Sequence, residues 1–550
     1  MRGTVAVALV LVLAGCSENA REKTAGENGG TVVIATLEDP GTLFPPFIQT
    51  TSAKQVTEQI YDYLADVGPE LDTRDDRKFR RQLAASWNWA SDSLSLSFHI
   101  NPRARWHDGR KVTARDVQFT YELNKAPAVA SRYLSSLANI DSVTIADSLT
   151  ATFWFHRRVP TQFLDAAAQL LILPAHQLER IPFSRLRQVV PPLPIGSGRF
   201  RFRRSENGAG VEIIPDIANY RGRARLDRVI WSPITDFTTA VARFSSGEAD
   251  FFEGLRPENV TALQNRRTLR TIILPGMGYG FLRFNLRDPA DRARPNLLFG
   301  DRNLRRAIAM SIDRNALVRS VFDTFAVVPV GPTVRAYPTT DPRLAQIPFD
   351  SAHAGRVFDS LGWVRSGGDV RLKNGKPLAF TIIVATENLN RIRMSVLVQE
   401  QLRRMGLQVS VERMQSSAQV AREERGDFNA SIGAWTMPSS PDATRDAWSS
   451  IGIGKNGVNY GSYSNPRFDA LLDSALTSDP AHARDRFTAA YRVINEDAPA
   501  VWLYEPRRIL GIQGRIRTAQ MRPDAWWFSL QDWYIPPAER VLRDRVGAAR

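Results

Sequence analysis

Cysteine is almost absent from this 550-residue chain, in which Cys16 is the one cysteine. A lone thiol cannot form an intrachain disulfide, and a thiolate metal site needs several cysteines close together. Histidine is also scarce, since the six histidines are scattered between His99 and His482 without metal-ligand spacing. The sequence therefore predicts neither a disulfide framework nor a metal centre, and no cofactor.

A hydrophobic run long enough to cross a membrane is also missing. A transmembrane helix needs about 20 apolar residues, and the apolar run Val5–Leu13 that follows Arg2 is shorter. A positive residue before a short apolar run is typical of a secretory signal peptide. Because Leu13-Ala14-Gly15-Cys16 resembles a bacterial lipobox, we predict a signal peptide over residues 1–16 and lipid attachment at Cys16. The alternative is an ordinary signal peptide with an incidental cysteine.

Apolar side chains are nearly absent from residues 17–30 (SENAREKTAGENGG). Such a composition cannot bury a core, so we predict a flexible tether. No later segment is apolar enough to span a bilayer. We therefore expect an exported body in the periplasm or at the cell surface. Its N-terminal lipid would hold it to the cell membrane or the outer membrane.

The positive charge of the chain is large but is not gathered into a patch. The net charge is +15, carried mainly by arginine, and many arginines have acidic neighbours, as in Asp72–Arg77 (DTRDDR). A nucleic-acid-binding domain concentrates its basic residues on one face. The scattered pattern favours a solvated surface, so we predict no nucleic-acid partner.

Recognisable catalytic motifs are missing too. The chain has no G-x-S-x-G elbow and no H-E-x-x-H zinc helix, which are signatures of common hydrolases. His107 and Asp108 have the residue types of an acid–base pair, but they lie in a turn with no nucleophile motif beside them. We interpret this pair as structural and the protein as a non-enzyme, with a secreted hydrolase as a remote alternative.

Local structure is clearest in the segment from Leu83 to Tyr121. Apolar and polar side chains alternate from Leu94 to Ile100, which is the period-2 pattern of a half-buried strand. A turn follows at Trp106–Gly109. Thr113–Asp116 then has the form of a capping box, a hydroxyl with a carboxylate three residues later. We predict a strand, a turn and a capped helix that packs Val117, Phe119 and Tyr121.

This segment also resembles the signature of the family 5 extracellular solute-binding proteins, the oligopeptide, dipeptide and nickel receptors of ABC importers. The matching pieces are LAxSW, the strand end F-x-I-x-P and WHDGRKVTARDV at Trp106–Val117. Similar elements continue from about residue 31 to about residue 505. Two of them depart from the family pattern, with Arg199 in place of proline in G-T-G-P-Y and Arg221 in place of tryptophan in N-Y-W-G.

The resemblance implies an α/β, two-lobed type II periplasmic-binding-protein fold with an extra domain inserted in the first lobe. The first lobe is then discontinuous, over residues 31–72, 193–285 and 506–550. The inserted domain covers residues 73–192, and the second lobe covers residues 286–505. In this architecture the ligand lies between lobes that close around it.

A peptide ligand would need a carboxylate to face its α-amine. In peptide-binding members this is the aspartate of a W-x-x-D motif, but here the motif position holds proline, in Trp435-Thr436-Met437-Pro438. The nearest acids are Asp442 and Asp446. Asp442 would serve if the intervening loop bulges. Otherwise Asp442 is a surface or helix-capping residue and Asp446 faces solvent.

The resemblance also indicates residues that face the cleft in relatives. The candidates for ligand contact are Tyr279, Asn285, Trp435, Thr436, Asp442, Arg445 and Tyr460. Core packing explains the aromatic candidates, and Trp448 beside them, equally well. Arg445 has the geometry to bind a ligand carboxylate bidentately, with an ion pair inside its own lobe as the alternative.

These expectations define a monomeric, lipid-anchored receptor that captures peptides or related small solutes and delivers them to an ABC permease and its ATPase. Two alternatives stay open. One keeps the receptor fold but has a non-peptide ligand such as an oligosaccharide, an opine or a chelated metal, which Pro438 favours. The other is a surface sensor or interaction protein that uses the fold without transport.

Overall fold

A computed structural model describes residues 28–189, 193–206, 210–263, 266–365, 367–454 and 457–545. The predicted signal peptide, Cys16 and residues 17–27 of the tether lie outside the described residues. The strands are β1 (Thr31–Thr36), β2 (Ala65–Asp66), β3 (Arg80–Arg81), β4 (Ala84–Trp89), β5 (Ser95–Ile100), β6 (Ile140–Asp147), β7 (Thr150–Phe155), β8 (Phe200–Glu206), β9 (Gly210–Pro215), β10 (Arg228–Pro233), β11 (Phe251–Phe252), β12 (Leu269–Leu274), β13 (Gly278–Phe284), β14 (Ala326–Val327), β15 (Val364–Arg365), β16 (Arg371–Lys373), β17 (Lys376–Pro377), β18 (Ala379–Ala385), β19 (Gln408–Met414), β20 (Ala430–Thr436), β21 (Ala500–Pro506) and β22 (Arg508–Gln513).

Helices cover the sheets and connect the strands. They are α1 (Thr51–Ile60), α2 (Ala114–Lys125), α3 (Gln162–Ala167), α4 (Ala175–Leu178), α5 (Phe237–Ser246), α6 (Pro257–Leu263), α7 (Arg302–Met310), α8 (Arg314–Phe322), α9 (Ser351–Ser360), α10 (Leu389–Arg404), α11 (Ser416–Arg425), α12 (Ala443–Trp448), α13 (Pro466–Leu476), α14 (Pro480–Asp497) and α15 (Leu542–Arg545). Within the described ranges, no helix has both the length and the hydrophobicity to cross a bilayer.

A mixed sheet of seven strands organises the first lobe, in the order β12-β22-β11-β1-β10-β9-β8. Its central strand β1 runs parallel to both β10 and β11. The sequence of β1, TVVIAT, is buried almost throughout, as expected for a strand covered on both faces. The C-terminal tryptophans Trp526, Trp527 and Trp533 pack into the same core.

A smaller domain is inserted between β1 and β8 and contains the antiparallel sheet β4-β5-β7-β6. The predicted half-buried strand is β5, and the predicted helix is α2. The capping box is formed, because the Asp116 carboxylate accepts a hydrogen bond from the Thr113 backbone N–H over 2.8 Å. Val117, Phe119 and Tyr121 are buried. The prediction for this segment is confirmed.

The second lobe is built on a six-stranded sheet in the order β14-β21-β13-β20-β18-β19. Strand β18 runs parallel to β19 and β20, whereas β13 is antiparallel to β20 and β21. Apolar side chains of α7, α8 and α10 pack with this sheet in one core. The molecule therefore has two mixed sheets, each with its own helices.

The chain passes between the two large sheets through linkers that lie side by side. One linker joins β12 to β13, and the other joins β21 to β22. A Cβ atom on Gly276 in the first linker would lie 1.7 Å from the carbonyl oxygen of Pro506, the last residue of β21 before the second linker. Because real Cβ atoms cannot approach so closely, this contact requires glycine. The two crossings between the large sheets are thus in direct contact.

One predicted lobe boundary differs from the sheets. Residues 193–285 were assigned to the first lobe, but β13 pairs with β20 and β21 in the sheet of the second lobe. The chain therefore crosses between lobes before Gly278. The reason is that β12 and β13 are consecutive strands joined by a short link, and no change of composition marks the crossing. The remaining division into lobes stays a prediction.

The predicted tether, residues 17–30, wrongly includes residues 28–30. Gly29 N donates a hydrogen bond to Arg225 O over 2.7 Å, and Gly30 N donates to Asp227 Oδ2 over 3.0 Å. Arg540 Nη2 donates to Asn28 O over 2.6 Å. Residues 28–30 are thus fixed to the first lobe. Their polar composition gave no sign of this, because the bonds involve their backbone atoms.

Candidate functional site

The loop Pro438–Pro441 follows β20 where the two lobes meet. The Tyr337 hydroxyl donates hydrogen bonds to the carbonyl oxygens of Pro438 and Ser440. The Ser439 hydroxyl donates to Asp524 Oδ2 of the first lobe over 2.8 Å. The loop is therefore fixed within the second lobe and contacts the first lobe through Ser439.

Asp442 lies directly after this loop. Its Oδ2 accepts a hydrogen bond from Ser440 Oγ over 2.8 Å, while its Oδ1 is enclosed and has no hydrogen-bond partner among the described residues. Burial raises the pKa of the Asp442 carboxyl, and the Ser440 hydrogen bond and the Arg74 guanidinium act against that rise. An enclosed oxygen without a partner is costly, and a donor that reached this atom would remove that cost.

The alternative interpretation of Asp442 as a surface or helix-capping residue does not fit this geometry. Asp442 occupies the N-cap position of α12, but its side chain makes no capping hydrogen bond. Asp446, four residues later, is exposed as expected. Of the two acids near the proline, Asp442 is thus the one with an enclosed carboxylate oxygen.

A second buried acid comes from the inserted domain. Asp165 on α3 is 9% exposed, and its Oδ2 accepts a hydrogen bond from Thr161 Oγ1 over 2.7 Å. Burial raises the pKa of Asp165 to about 7; the Thr161 bond lowers it and the charge of Asp442 raises it further. Asp165 is not among the candidates predicted from the sequence, although a lone acid within the apolar run FLDAAAQLLIL is a signal of a special role.

Trp435 and Tyr460 form an aromatic corner beside the loop. Their ring centroids are 6.4 Å apart, and the Arg283 guanidinium lies 5.0 Å from the Tyr460 ring. Arg283 in turn pairs with Glu423 over 2.7 Å. The Trp435 Nε1 atom is enclosed and lacks a hydrogen-bond partner in the described ranges. Both aromatic residues are partly exposed and stay candidates for ligand contact, as does the exposed Thr436.

Two predicted candidates lie in the core instead of the cleft. Tyr279 is 1% exposed, and its hydroxyl accepts a hydrogen bond from Trp448 Nε1 over 2.8 Å. Asn285 is also 1% exposed and donates to the carbonyl oxygens of Gly426 and Phe428. Both side chains are thus buried inside the second lobe and present no ligand-binding surface.

Arg445 forms an ion pair inside its own lobe, which is the alternative to binding a ligand carboxylate. Its Nε atom forms an ion pair with Asp473 Oδ1 over 3.1 Å, and both side chains are about half exposed. This pair lies within the second lobe, between α12 and α13. Exposed ion pairs of this kind contribute little to stability. Its pairing within the lobe makes Arg445 a poor candidate for a ligand carboxylate.

Metal ligands do not cluster in the part of the chain that the structure describes. Histidine, cysteine and carboxylate side chains there form no group of three or more that could hold an ion. The closest pair involving the predicted turn is His176 Nε2 with Asp108 Oδ2, at 2.7 Å. Two protein ligands are fewer than a structural or catalytic zinc site uses.

The geometry so far is that of two lobes that meet at the loop Pro438–Pro441, and sequence comparison agrees with a two-lobed receptor. Residues 78–455 match the family model described as bacterial extracellular solute-binding proteins, family 5 Middle. The chain belongs to this family. It is therefore a solute-binding receptor, and its two-lobed fold is the periplasmic-binding-protein fold of that family.

Relatives extend this likeness over nearly the whole receptor. The oligopeptide-binding protein AppA of Bacillus subtilis is 26% identical over 549 residues, covering 97% of this chain and 98% of AppA. The structure of AppA in complex with a nonapeptide has a TM-score of 0.70 at 24% identity, covering 92% of this chain and 99% of that one. NikZ of Campylobacter jejuni, solved with Ni(L-His), has a TM-score of 0.71 at 21% identity, with 92% and 99% covered.

The two departures from the family pattern form internal ion pairs in the receptor. Arg199 pairs with Asp532 over 2.8 Å, and Arg221 pairs with Asp62. Both arginines line a small cavity between the first lobe and the inserted domain. Each arginine has an acid close by, so the replacements are compensated locally and the cavity gains no net positive charge from them.

His107 has the structural role expected of it. Gly196 N donates to its Nδ1 over 3.2 Å, so its Nε2 carries the hydrogen that is donated to Gly198 O over 3.0 Å. Burial lowers the pKa of His107, which keeps the ring neutral as this arrangement requires. The ring therefore holds the inserted domain to the loop that precedes β8.

Proposed function

We propose that this receptor captures short peptides between its lobes, without turning them over, and delivers them to an ABC permease and its ATPase. The full-length relationship to the oligopeptide-binding protein AppA supports a peptide ligand. Lobe closure supplies the capture step, because a ligand that contacts both lobes stabilises the closed state in proportion to its extra contacts there. The touching linkers at Gly276 and Pro506 provide the hinge.

The observation that carries this proposal is the unsatisfied oxygen of Asp442. In this proposal Asp442 Oδ1 accepts a hydrogen bond from the α-ammonium group of the peptide, in place of the aspartate that Pro438 replaces. Burial and the charge of Asp442 raise the pKa of Asp165 to about 7, and in its ionised form Asp165 adds negative potential from the inserted domain. Trp435, Thr436 and Tyr460 line the path away from this anchor.

The proposal includes the attachment of the receptor to a membrane. Cys16 follows a lipobox-like sequence, and lipid attached there would tether an exported body through residues 17–27. One acyl chain alone gives marginal membrane binding, whereas two or more anchor a protein stably. The receptor then acts as a monomer beside its permease, in the periplasm or at the cell surface.

A non-peptide ligand is the second candidate. It is favoured by the displacement of the acid from the W-x-x-D position, since Pro438 leaves the motif without its carboxylate. NikZ, which shares the fold, was solved with Ni(L-His), and the heme-binding protein A of Haemophilus influenzae is 22% identical over 535 residues. A chelated amino acid keeps N–H groups on its metal-bound amine, and these can donate to Asp442 although they carry no ammonium charge.

Identification of the natural ligand tests the choice between these candidates. The receptor would be purified from its host in mild detergent and examined by native mass spectrometry. Denaturation would then release bound molecules for mass analysis. A heterogeneous set of short peptides supports the peptide receptor, whereas a single non-peptide mass supports the second candidate.

The role of Asp442 is tested with matched peptides and variants. Charge-assisted hydrogen bonds contribute about 1.5–3 kcal/mol, so Asp442→Asn should weaken binding of a free-amine peptide by about 10- to 100-fold. The N-acetylated form of the same peptide should bind weakly to both proteins and show no such difference. Asp446→Asn is the control, because Asp446 is exposed on the same helix. Equal affinities of the Asp442→Asn variant and the unchanged protein for free-amine peptides would remove Asp442 from the site.

A further inference from the structure

The sheet of the first lobe has two distinct ends. At one end Leu274 of β12 pairs with Arg508 of β22, next to the linkers that lead to the second lobe. At the other end Leu269 pairs with Gln513, and β1 begins there at Thr31. A six-residue strand such as β12 separates the two ends by about 20 Å. We call the second end the base of the first lobe, which comprises residues 28–31, 243–248, 266–270 and 539–544.

The predicted lipid attachment site is close to this base along the chain. Asn28 follows Cys16 by 12 positions, and a fully extended chain of that length reaches about 40 Å. The carbonyl oxygen of Asn28 accepts a hydrogen bond from Arg540 Nη2 in the base. With lipid at Cys16, as proposed above, the base is the part of the receptor held nearest to the bilayer. A short link gives a second contact a high effective concentration, so a weak contact is enough to orient the receptor.

Two apolar side chains are exposed at this base. Val541 is 44% exposed and Leu542 is 80% exposed, whereas Asp544 in the same short segment is only 3% exposed. The Asp544 carboxylate accepts hydrogen bonds from Thr31 N over 2.8 Å and Val541 N over 2.7 Å, and it pairs with Arg515. The segment is therefore fixed with its carboxylate inward and its leucine outward, which reverses the usual arrangement at a protein surface.

Basic side chains surround these apolar ones. Arg543 Nη1 donates hydrogen bonds to the carbonyl oxygens of Gly247 and Glu248, each over 2.9 Å. Arg266 Nη1 donates to Ser245 O in the same loop after α5 over 2.7 Å. The C-terminal segment and Arg266 thus share one surface. The exposed arginines of this surface come from α5, the loop before β12 and β12 itself, and they are Arg243, Arg266, Arg267 and Arg270.

The acids of the base do not cancel this charge. Glu248 lies 3.8 Å from Arg243, and Glu539 pairs with Arg517. Each of these acids has an arginine of its own, so the exposed arginines at residues 266–270 leave the surface positive. An exposed leucine beside positive charge suits an anionic bilayer, because the leucine enters the interface and the arginines attract anionic headgroups.

We propose that the base of the first lobe is a membrane-facing surface that rests on anionic phospholipid. Leu542 and Val541 enter the interfacial region, and Arg266 and Arg267 lie against the phosphate groups. This proposal rests on the proposed lipid at Cys16 and goes beyond it. The lipid holds the receptor at the membrane, whereas this surface fixes its orientation there, with the linkers and the second lobe away from the bilayer.

Quenching by a labelled lipid tests which face lies on the bilayer. The full-length receptor would be reconstituted in vesicles of phosphatidylcholine and phosphatidylglycerol that contain a lipid with a nitroxide headgroup. A thiol-reactive dye would be attached through Ala538→Cys, which is exposed next to the base, or through Ser360→Cys, which is exposed at the end of α9 in the second lobe. We expect quenching at residue 538 to be at least about 3-fold stronger than at residue 360. Omission of phosphatidylglycerol should remove most of this difference.

Matched variants locate the apolar contact. With the dye at residue 538, Leu542→Glu should lower the ratio of docked to undocked receptor by about 10-fold or more. Leu297→Glu makes the same change at a leucine that is 91% exposed between β13 and α7, and it should have no effect. Both variants should bind free-amine peptides as the unchanged protein does. Equal losses of quenching in the two variants would refute a specific contact at Leu542.

The charged contact has its own matched pair of variants. Arg266→Glu/Arg267→Glu should also lower the docked ratio by about 10-fold or more. Arg403→Glu/Arg404→Glu changes the net charge equally on exposed residues of α10 and should leave the quenching unchanged. Equal losses in the two double variants would show that net charge alone attracts the receptor, which would refute the positioned surface.

The same samples separate this proposal from the anchor itself. An acylated Cys16 cannot take the dye, so an anchored receptor carries one dye and floats with the vesicles. A receptor that takes two dyes and does not float would refute the anchor and, with it, the membrane-facing surface. A receptor that floats with one dye but is quenched equally at residues 538 and 360 would refute the surface alone.

Discussion

The Ser439 hydroxyl donates a hydrogen bond to the Asp524 carboxylate over 2.8 Å, and this bond joins the second lobe to the C-terminal segment of the first. Asp524 is fixed independently by Arg522, whose Nε donates to its other oxygen over 2.5 Å. Arg522 also pairs with Asp66 at the entrance to the inserted domain. The hydrogen bond from Ser439 therefore meets a carboxylate whose position is already fixed by Arg522 of the first lobe.

Removal of the Ser439 hydroxyl should shorten the lifetime of the closed, liganded receptor. The bond forms only when the lobes are together, so Ser439→Ala should raise the ligand dissociation rate by about 3- to 10-fold and leave the association rate nearly unchanged. Stopped-flow tryptophan fluorescence measures both rates. The control is Ser91→Ala in the exposed turn after β4. An unchanged dissociation rate would show that this bond does not hold the lobes together.

The glycine in the hinge should be sensitive to a single added methyl group. Gly276→Ala would place a Cβ atom 1.7 Å from Pro506 O, so the two linkers must separate. We expect a loss of about 1–3 kcal/mol in unfolding free energy and a change in the radius of gyration measured by small-angle X-ray scattering. Gly368→Ala is the control, because its Cβ would meet no atom within 4 Å. Identical scattering and stability in both variants would exclude a hinge contact at Gly276.

Much of the local structure could be predicted from the sequence, because neighbouring residues determine it. The alternation in β5 and the capping box at Thr113 are signals within a few residues, and both appear where expected. The end of α1 shows the limit of this reasoning, because contacts from a distant segment surround it. α1 ends at Ile60, and the carbonyls of Gln59 and Ile60 instead lie against Gly196 and Gly198.

The candidate site could be predicted only in part, since it is assembled from distant segments. The proline in W-x-x-D directed attention to Asp442. No sequence pattern, however, indicated that Arg74 and Asp165 of the inserted domain lie near it. The prediction that Tyr279 contacts the ligand is wrong, because the sequence of a strand does not show what each of its side chains faces. A tyrosine on a strand of a cleft-forming lobe looks the same in sequence whether it faces the ligand or, as here, Trp448.

The buried Asp165 should make stability depend on pH. Its pKa is raised from 3.8 to about 7, so its stabilising contribution is complete below about pH 4 and is lost as the pH rises through about 7. Asp165→Asn keeps a neutral side chain of similar shape. It should therefore raise the unfolding free energy at pH 8, by up to about 4 kcal/mol, and have little effect at pH 4.

Denaturant unfolding at both pH values checks this prediction. Asp369→Asn serves as the control, because Asp369 is exposed and should give the pH dependence of the unchanged protein. In the proposed site a bound ammonium group would also favour the ionised form of Asp165. Calorimetry at pH 7 in buffers of different ionisation enthalpy should then detect proton release on peptide binding. A pH dependence of stability unchanged by Asp165→Asn would contradict the raised pKa.

The buried charge network around Asp250 joins β1 to the C-terminal segment, and we expect it to be essential for holding β1 in place. Asp250 is 0% exposed. It accepts hydrogen bonds from Val33 N over 2.9 Å and from Arg515 Nη2 over 2.8 Å, and it pairs with Arg543 in α15.

Breaking a buried charged network by neutralising one member costs about 3–5 kcal/mol. We expect Asp250→Asn to lower stability by this amount and to expose residues 28–36 to hydrogen exchange. Glu248→Gln, whose side chain is 68% exposed, should change neither quantity. Slow exchange of β1 in Asp250→Asn would show instead that pairing with β10 and β11 alone retains the strand.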